Sequence, residues 1–426
     1  MSAVVACLLS VLAQEPPKSD EVPLELYFKD GLRFRSKDGV FEGRIGGRFI
    51  GHYRTVFDRP DDGAAPLRSV PDAFFIRQIR FETEGLYKKE WGYKVQVDFL
   101  TGQFNQPAGT GPSNVTGTLR DGFVEWRRHP EFMVRLGQFF ETISVEDASS
   151  TRFIDFAERS VMNRLLPGRE LGLEARGTLF DGRLSYFAML SNGNALLNDQ
   201  GRSVTDSNDE KELSALVHLR PFAAGESPWL KGLRLSVGGS VTDQDDLPSQ
   251  NFDLISTELS IQYLDSTAGG PSIDGLRWRL VPQIAWPIGP FALRAELLLR
   301  KDELAEGAPE SAIESRGYYV SGSCILTGED KVLDDRVVPT GDWGAVEVLA
   351  RYAHLKAENV FDAGLALPAG NSDEVRSVTV GANWWVTRNV RLTLNLVRET
   401  YADELQFDNR TEEAFWGILF RGQVDF

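Results

Sequence analysis

The chain has 426 residues, a formal charge of −16, 11% aromatic residues and 40 glycines. It holds no run of about 18 uncharged apolar residues, which excludes a helical membrane protein, and its acidic balance argues against a nucleic-acid partner, whose binders need clustered basic charge. Beyond a short apolar start only Cys324 remains, so neither a disulfide framework nor a thiolate metal cluster is expected, and no cofactor or metal is implied.

Residues 3–13 (AVVACLLSVLA) have the length of a signal-peptide core and end in Val11-Leu12-Ala13, a small-residue cleavage site before Gln14. Residues 1–13 are therefore expected to be an export leader whose natural start lies further upstream, because no basic residue precedes the apolar run. Val4-Val5-Ala6-Cys7 has the form of a lipoprotein box, but a cysteine so near the start reads as incidental. Residues 14–40 are expected to form a periplasmic segment with one short strand, and residues 41–426 a single barrel.

From Phe41 onward, period-two alternation recurs at the length of membrane strands. A strand sends successive side chains to opposite faces, so each such segment has a dry side and a wet side. Phe41, Ile45, Phe49, Tyr53 and Phe57 oppose Glu42, Arg44, Arg48, His52 and Arg54; Trp91, Tyr93, Val95, Val97 and Phe99 oppose Lys94, Gln96 and Asp98. The pattern returns in residues 213–220, 233–241, 291–300, 378–386 and 390–396. It continues to the last residue, where Trp416, Ile418, Phe420, Val424 and Phe426 share a face against Arg421, Gln423 and Asp425. Short turns such as Lys88-Lys89-Glu90, Asp181-Gly182 and Thr387-Arg388-Asn389 alternate with longer polar stretches at 58–71, 102–118, 194–210, 301–312, 356–373 and 402–412. Short turns at one end and long loops at the other mark an outer-membrane barrel, and about sixteen strands result, with both termini on the short-turn side.

Two stretches fit less simply. Residues 327–340 are long for a periplasmic turn, although parity places them there. Residues 252–264 alternate weakly and would make the strand number odd, so they are expected within a surface loop spanning residues 243–274.

Facing follows from energy. An arginine exposed to lipid at the bilayer midplane costs roughly 2–4 kcal/mol, whereas a watery lumen accepts it. With the oily faces outward, Arg44, Arg48, Arg80, Arg135, Arg176, Arg234, Arg277, Arg279, Arg294, Arg351, Arg391 and Arg421 all point inward, accompanied by Glu82, Glu84, Glu125, Glu174, Glu296, Glu347 and Asp425. Such residues stiffen a wall by pairing across strands; unpaired guanidiniums attract phosphate or carboxylate solutes, and both roles are open. Residues 144–168 differ from the other loops. They are expected to form a helix capped by Ser149 or Ser150, with Phe153, Ile154, Ala157 and Val161 on one face and Pro167-Gly168 as its stop. Its Arg152, Arg159 and Arg164 would be costly against lipid, so this third loop is expected to fold inward and narrow the channel; the alternative is a cap on the rim.

Several runs together carry a family likeness. Gly31-Leu32-Arg33-Phe34-Arg35-Ser36-Lys37-Asp38-Gly39 with Gly46-Gly47-Arg48, then Leu136-Gly137-Gln138-Phe139, Phe156-Ala157-Glu158-Arg159-Ser160 and Pro167-Gly168-Arg169-Glu170-Leu171-Gly172, resemble the phosphate-selective porin O/P family in order and spacing. Gly317-Tyr318-Tyr319-Val320, Leu326-Thr327-Gly328-Glu329-Asp330 and Trp343-Gly344-Ala345-Val346-Glu347 extend the resemblance through the C-terminal half. The resemblance implies an all-β, sixteen-stranded transmembrane barrel with an inward third loop, assembled as a homotrimer in the outer membrane of a diderm bacterium. It also implies diffusion of small anions such as phosphate or pyrophosphate. Facing and resemblance together give Arg44, Arg48, Arg80, Arg135, Arg152, Arg159, Arg164 and Arg169 as the expected anion pathway; the lysine clusters of the family have no counterpart here. Partners are outer-membrane lipid and small anions.

Two other classes compete. A barrel enzyme would need an activated nucleophile, yet His52, His129, His218 and His354 fall in no catalytic motif, so no catalytic residue is assigned. A closed surface scaffold or adhesin would lack an open path.

Overall fold

The computed structural model describes residues 22–57, 72–100, 117–193, 209–247, 252–266, 270–406 and 411–426. The expected leader and most of the polar stretches 58–71, 102–118 and 194–210 lie outside them.

A short hairpin, β1 (Leu24–Phe28) and β2 (Leu32–Ser36), precedes the barrel. The wall then runs β3 (Phe41–Phe57), β4 (Ala73–Tyr87), β5 (Trp91–Asp98), β6 (Thr118–His129), β7 (Phe132–Phe140), β8 (Arg169–Leu179), β9 (Leu184–Ser191), β10 (Glu212–Leu219) and β11 (Arg234–Leu247). After a small inserted hairpin, β12 (Leu254–Ile255) and β13 (Gln262–Leu264), it resumes with β14 (Ile273–Ile288), β15 (Phe291–Leu304), β16 (Ala312–Ile325) and β17 (Ala345–Glu358). It ends with β18 (Glu374–Thr387), β19 (Val390–Gln406) and β20 (Thr411–Asp425). Each wall strand pairs antiparallel with the next, and β20 closes on β3 from Trp416↔Phe57 to Asp425↔Arg48. Leaving out the two hairpins, the wall is the expected sixteen-stranded closed antiparallel barrel. Closure removes the unpaired edges that an open sheet would present to lipid.

The facing follows the alternation. Phe74, Leu394, Trp416 and Phe420 are exposed on the outside, while Arg391 and Arg421 are among the most buried side chains in the chain. Residues 326–344 join β16 to β17 on the short-turn side, as parity required.

The expectation of a helical third loop is wrong. Between β7 and β8 only Val145–Ala148 forms an α-turn and Val161–Leu165 a 3₁₀ turn. A helix would have used the intervening carbonyls for its own i→i+4 bonds. Here the wall takes them: Arg421 donates to Thr151 O and Ala157 O, Arg391 to Ile154 O, Asn383 to Asp155 O and Arg351 to Glu158 O. Buried backbone polar groups need partners, and an extended path offers them to the lumenal arginines.

The stretch expected as a surface loop also lies inside the barrel. Phe252, Leu254, Leu259, Tyr263 and Leu264 pack with Val161, Met162 and Leu165 of the third loop in an apolar core enclosed by wall strands. Val360, Ala363 and Leu365, from the connection between β17 and β18, join the same core. Glycines on the inner wall make room for it. A Cβ on Gly317 would stand 2.8 Å from Met162 Cγ, and one on Gly417 would stand 2.5 Å from Leu259 Cδ2. Much of the lumen beside β14–β20 is thus filled as a soluble protein's core is filled.

Candidate functional site

The third loop spans the lumen as a polar strap. Ser144 Oγ and the Glu146 amide donate to Glu296 at 2.6 and 2.8 Å, and Gln283 accepts from the Val145 amide at 2.8 Å. At its far side Arg77 donates to Glu158 at 2.8 Å and Thr151 to Gln78 at 2.7 Å. The loop therefore bonds to β14 and β15 at one end and to β4 at the other.

Open space lies toward the opposite wall. A cavity of ≈ 740 Å³ is bounded by loop residues Val145, Ala148, Ser149, Ser150 and Phe153 and by side chains from β2 through β11, including Arg44, Lys94, Asp121, Arg135, Arg176 and Arg234. Many of these lie near the short turns, which places the cavity in the periplasmic half of the barrel.

The expected pathway residues separate into groups. Arg44 pairs with Glu82 and, at 3.0 Å, with Glu84, and lines the cavity. Arg135, also lining it, pairs with Glu125 at 2.8 Å. Arg48 donates to Ser150 at 2.5 Å, Arg80 to Asp98 at 2.7 Å, Arg152 to Glu82 at 2.8 Å and Arg169 to Asp121 at 2.8 Å. These four are buried where loop and wall meet. Arg159 turns back on its own loop, donating to Glu146 O, Asp147 O and Ser149 O at 3.0, 3.1 and 2.7 Å. Arg164 lies apart, donating to Ser256 O of the inserted segment at 3.0 Å.

Sequence reasoning missed Arg120, one of the two successive inward residues at a bulge in β6, which sits 3.7 Å from Asp98. Among the described residues, Arg120, Arg44, Arg48, Arg80, Lys94, Arg152 and Arg169 stand around the carboxylates Glu82, Glu84, Asp98, Asp121 and Asp425, seven cations to five acids. These contacts hold the guanidiniums in place, and among the described residues the group carries an excess of cations.

Inward phenylalanines were missed as well. Phe123, Phe139 and Phe187 occupy wet-face positions and line the cavity. Arg135 stacks over Phe123 at 4.0 Å and Phe139 at 5.1 Å, Arg176 over Phe187 at 4.8 Å, and Arg169 over Phe140 at 3.9 Å. A ring face holds a guanidinium flat without neutralising it. The legible signal is an Arg two or four residues from an aromatic of the same parity, as in Arg135 and Phe139.

The long periplasmic turn meets the loop from below. Asp334 accepts from Ser149 at 2.9 Å, Arg234 at 3.1 Å and Arg294 at 3.4 Å, and Lys331 donates to Asp155 at 2.6 Å and Glu347 at 2.5 Å. Burial works against charge on Asp155, but Lys331 and Arg294 outweigh it and hold the carboxyl down at about 2. Asp334 is lowered in the same way: burial opposes, Arg294 and Arg234 prevail.

The histidines are scattered. His52 is buried 3.6 Å from Glu158, His218 bonds to Ser236 at 2.6 Å, His354 bonds to Glu374 at 3.1 Å on the outside, and His129 ends β6. No group of three or more candidate metal ligands occurs among the described residues.

Comparison with known proteins agrees with this geometry. Residues 61–426 match the family described as Phosphate-selective porin O and P. Porin O of Pseudomonas aeruginosa is 24% identical, the alignment covering 96% of this chain and 94% of that protein. Among solved structures, the outer-membrane channel DcaP of Acinetobacter baumannii has a TM-score of 0.54 at 14% identity, with 92% of this chain and 99% of that chain covered. Salmonella typhi OmpF gives 0.56 at 12% identity, covering 94% and 100%. The structural likenesses carry the fold.

Proposed function

The chain belongs to the phosphate-selective porin O and P family of outer-membrane channels, and from that premise we propose that it passes small anionic solutes, phosphate or pyrophosphate among them, by diffusion along the arginine-bearing wall. A channel of this family is not an enzyme. The observation that supports anion passage is the convergence of Arg48, Arg80, Arg120, Arg152 and Arg169 beside the third loop, where cations exceed acids among the described residues. Guanidiniums stay charged at every relevant pH and present planar forks that match phosphate and carboxylate oxygens.

The pathway includes Arg44 and Arg135 in the periplasmic cavity and Arg48, Arg80, Arg120, Arg152 and Arg169 above it. Arg159 acts by holding the loop. Carboxylates beside each cation keep any one site weak, and several weak sites let an anion leave as readily as it enters. A homotrimeric assembly, which the family resemblance implies, is part of this proposal.

Planar-bilayer recording under a KCl gradient tests the proposal. A reversal potential on the chloride side, with chloride current reduced by added phosphate, is expected. Cation preference in the native protein would refute anion passage. Chloride preference untouched by phosphate would leave a general anion pore.

A further inference from the structure

The inner wall is not the only place where cations gather. On the outside of β16–β19 the lower outward positions are apolar, with Val320, Val378, Val380, Leu394 and Leu396 exposed. Higher on each strand an outward cation appears, Arg316, Lys356, Arg376 and Arg398, with Glu314, Glu358 and Glu374 outward two residues further toward the long loops on the first three. Register makes them neighbours. Arg316 stands opposite Lys356, Arg376 opposite His354, and Arg398 opposite Val378, two residues along β18 from Arg376.

Like charges across a strand pair are destabilising unless something neutralises them. One carboxylate reaches in: Glu374, which already serves Arg376 at 2.5 Å, His354 at 3.1 Å and Lys356 at 4.0 Å. No carboxylate lies within ion-pair distance of Arg316 or Arg398 among the described residues. Arg398 instead lies over the Trp416 ring at 5.4 Å, and Tyr318 and Tyr352 flank His354 on the same outer surface.

Depth fixes the chemistry. Trp384 lies outward on the same strand as Arg376, eight residues toward the turn end. At ~3.3 Å per residue and a tilt of ~40°, that is about 20 Å along the barrel axis, close to the ~25 Å apolar band of such barrels. Trp384 thus marks one interface, and the cations mark the other, on the long-loop side that faces the exterior. Cations there cost little and meet headgroups, not hydrocarbon.

We propose that Arg316, Lys356, Arg376 and Arg398 form a binding site for the phosphate headgroup of a lipid in the outer leaflet. The phosphate oxygens sit between Arg376 and Arg398, diagonal neighbours on adjacent strands, with Lys356 and Arg316 in succession beyond them, and the acyl chains lie over the valine and leucine faces below. The aromatic rings border the headgroup region.

Native mass spectrometry of the full chain in detergent tests this with dioleoyl phosphatidic acid against dioleoyl phosphatidylcholine. The native protein is expected to favour the phosphomonoester lipid by about tenfold, and Arg316→Gln/Arg376→Gln/Arg398→Gln to abolish the preference. Arg398→Gln alone is expected to lose roughly threefold. Single-channel conductance should be unchanged in both variants, because these residues face away from the lumen. Equal affinity for the two lipids, an undiminished preference in the triple variant, or displacement of the lipid by an equal concentration of inorganic phosphate would each overturn the proposal.

Discussion

Arg421, on the last strand, donates to the carbonyl oxygen of Thr151 at 2.5 Å across the lumen, and a second nitrogen of the same guanidinium reaches Ala157 O at 3.1 Å. One side chain therefore satisfies two carbonyls six residues apart on an extended loop. Arg421→Ala leaves both buried without a donor, at about 1–3 kcal/mol each. The barrel should still fold, since its ladders are untouched, while the loop loosens. Single-channel records are expected to show larger, noisier currents than the native protein. Arg421→Lys should not restore quiet traces, because an ammonium cannot reproduce the planar fork.

Selectivity should depend on the residues that converge between loop and wall. Arg80→Gln/Arg169→Gln is expected to lower the chloride-to-potassium permeability ratio about threefold at 0.1 M salt, where the Debye length is ~10 Å, and far less at 1 M, where it is ~3 Å. Arg159→Gln is the contrasting variant. Its guanidinium is spent on Glu146, Asp147 and Ser149 carbonyls, so gating noise should rise while the permeability ratio holds. A ratio that falls equally in both variants would move Arg159 into the pathway.

The contact between loop and periplasmic turn carries a pH signature. The Asp155 carboxyl is held at about 2, below its ordinary 3.8. A group with a lowered folded-state value contributes its stabilisation in full above the unfolded value and loses it as pH falls through the folded one. The Lys331–Asp155 pair should therefore hold from neutral pH to about 4 and fail between about 4 and 2. Conductance followed from pH 7 to 2.5 should be steady in the upper part of that range and change in the lowest part. Asp155→Asn should give the low-pH behaviour already at pH 7.

What the sequence discloses here depends on how local the cause is. Strands such as β19 and β20 are legible because lipid imposes one polarity on alternate residues, and a one-residue slip would turn every side chain over. The place of the third loop is legible too, because Arg152 and Arg159 have no business in lipid. Its conformation is not, since the carbonyl partners Arg391 and Arg421 lie more than two hundred residues away. The spacing of Phe153, Ile154, Ala157 and Val161 suits a helix, but the first three of these instead pack on an extended path among wall side chains. Phe123 and Phe187 break the wet-face rule for a similar reason: an arginine from the neighbouring strand covers each ring.

The inserted segment is the hardest to read in advance, and it yields the sharpest mechanical test. Leu259 is fully buried beneath Gly417, and Met162 of the third loop sits against Gly317. Neither glycine has a left-handed backbone, so the absence of a side chain serves the space alone. Gly417→Leu would fill the seat of Leu259 and displace the hairpin of β12 and β13. Overpacking of this kind costs roughly 1–3 kcal/mol. Leu259→Ala empties the same seat and costs roughly 2–5 kcal/mol, without pushing anything aside. The two should differ in conductance although both destabilise. Gly417→Leu should shift the mean single-channel current, because the hairpin moves with the third loop it supports. Leu259→Ala should leave the mean current near the native value and lower only the urea concentration at which the barrel unfolds. Equal currents in both variants and the native protein would show that the core under the third loop does not set the width of the path.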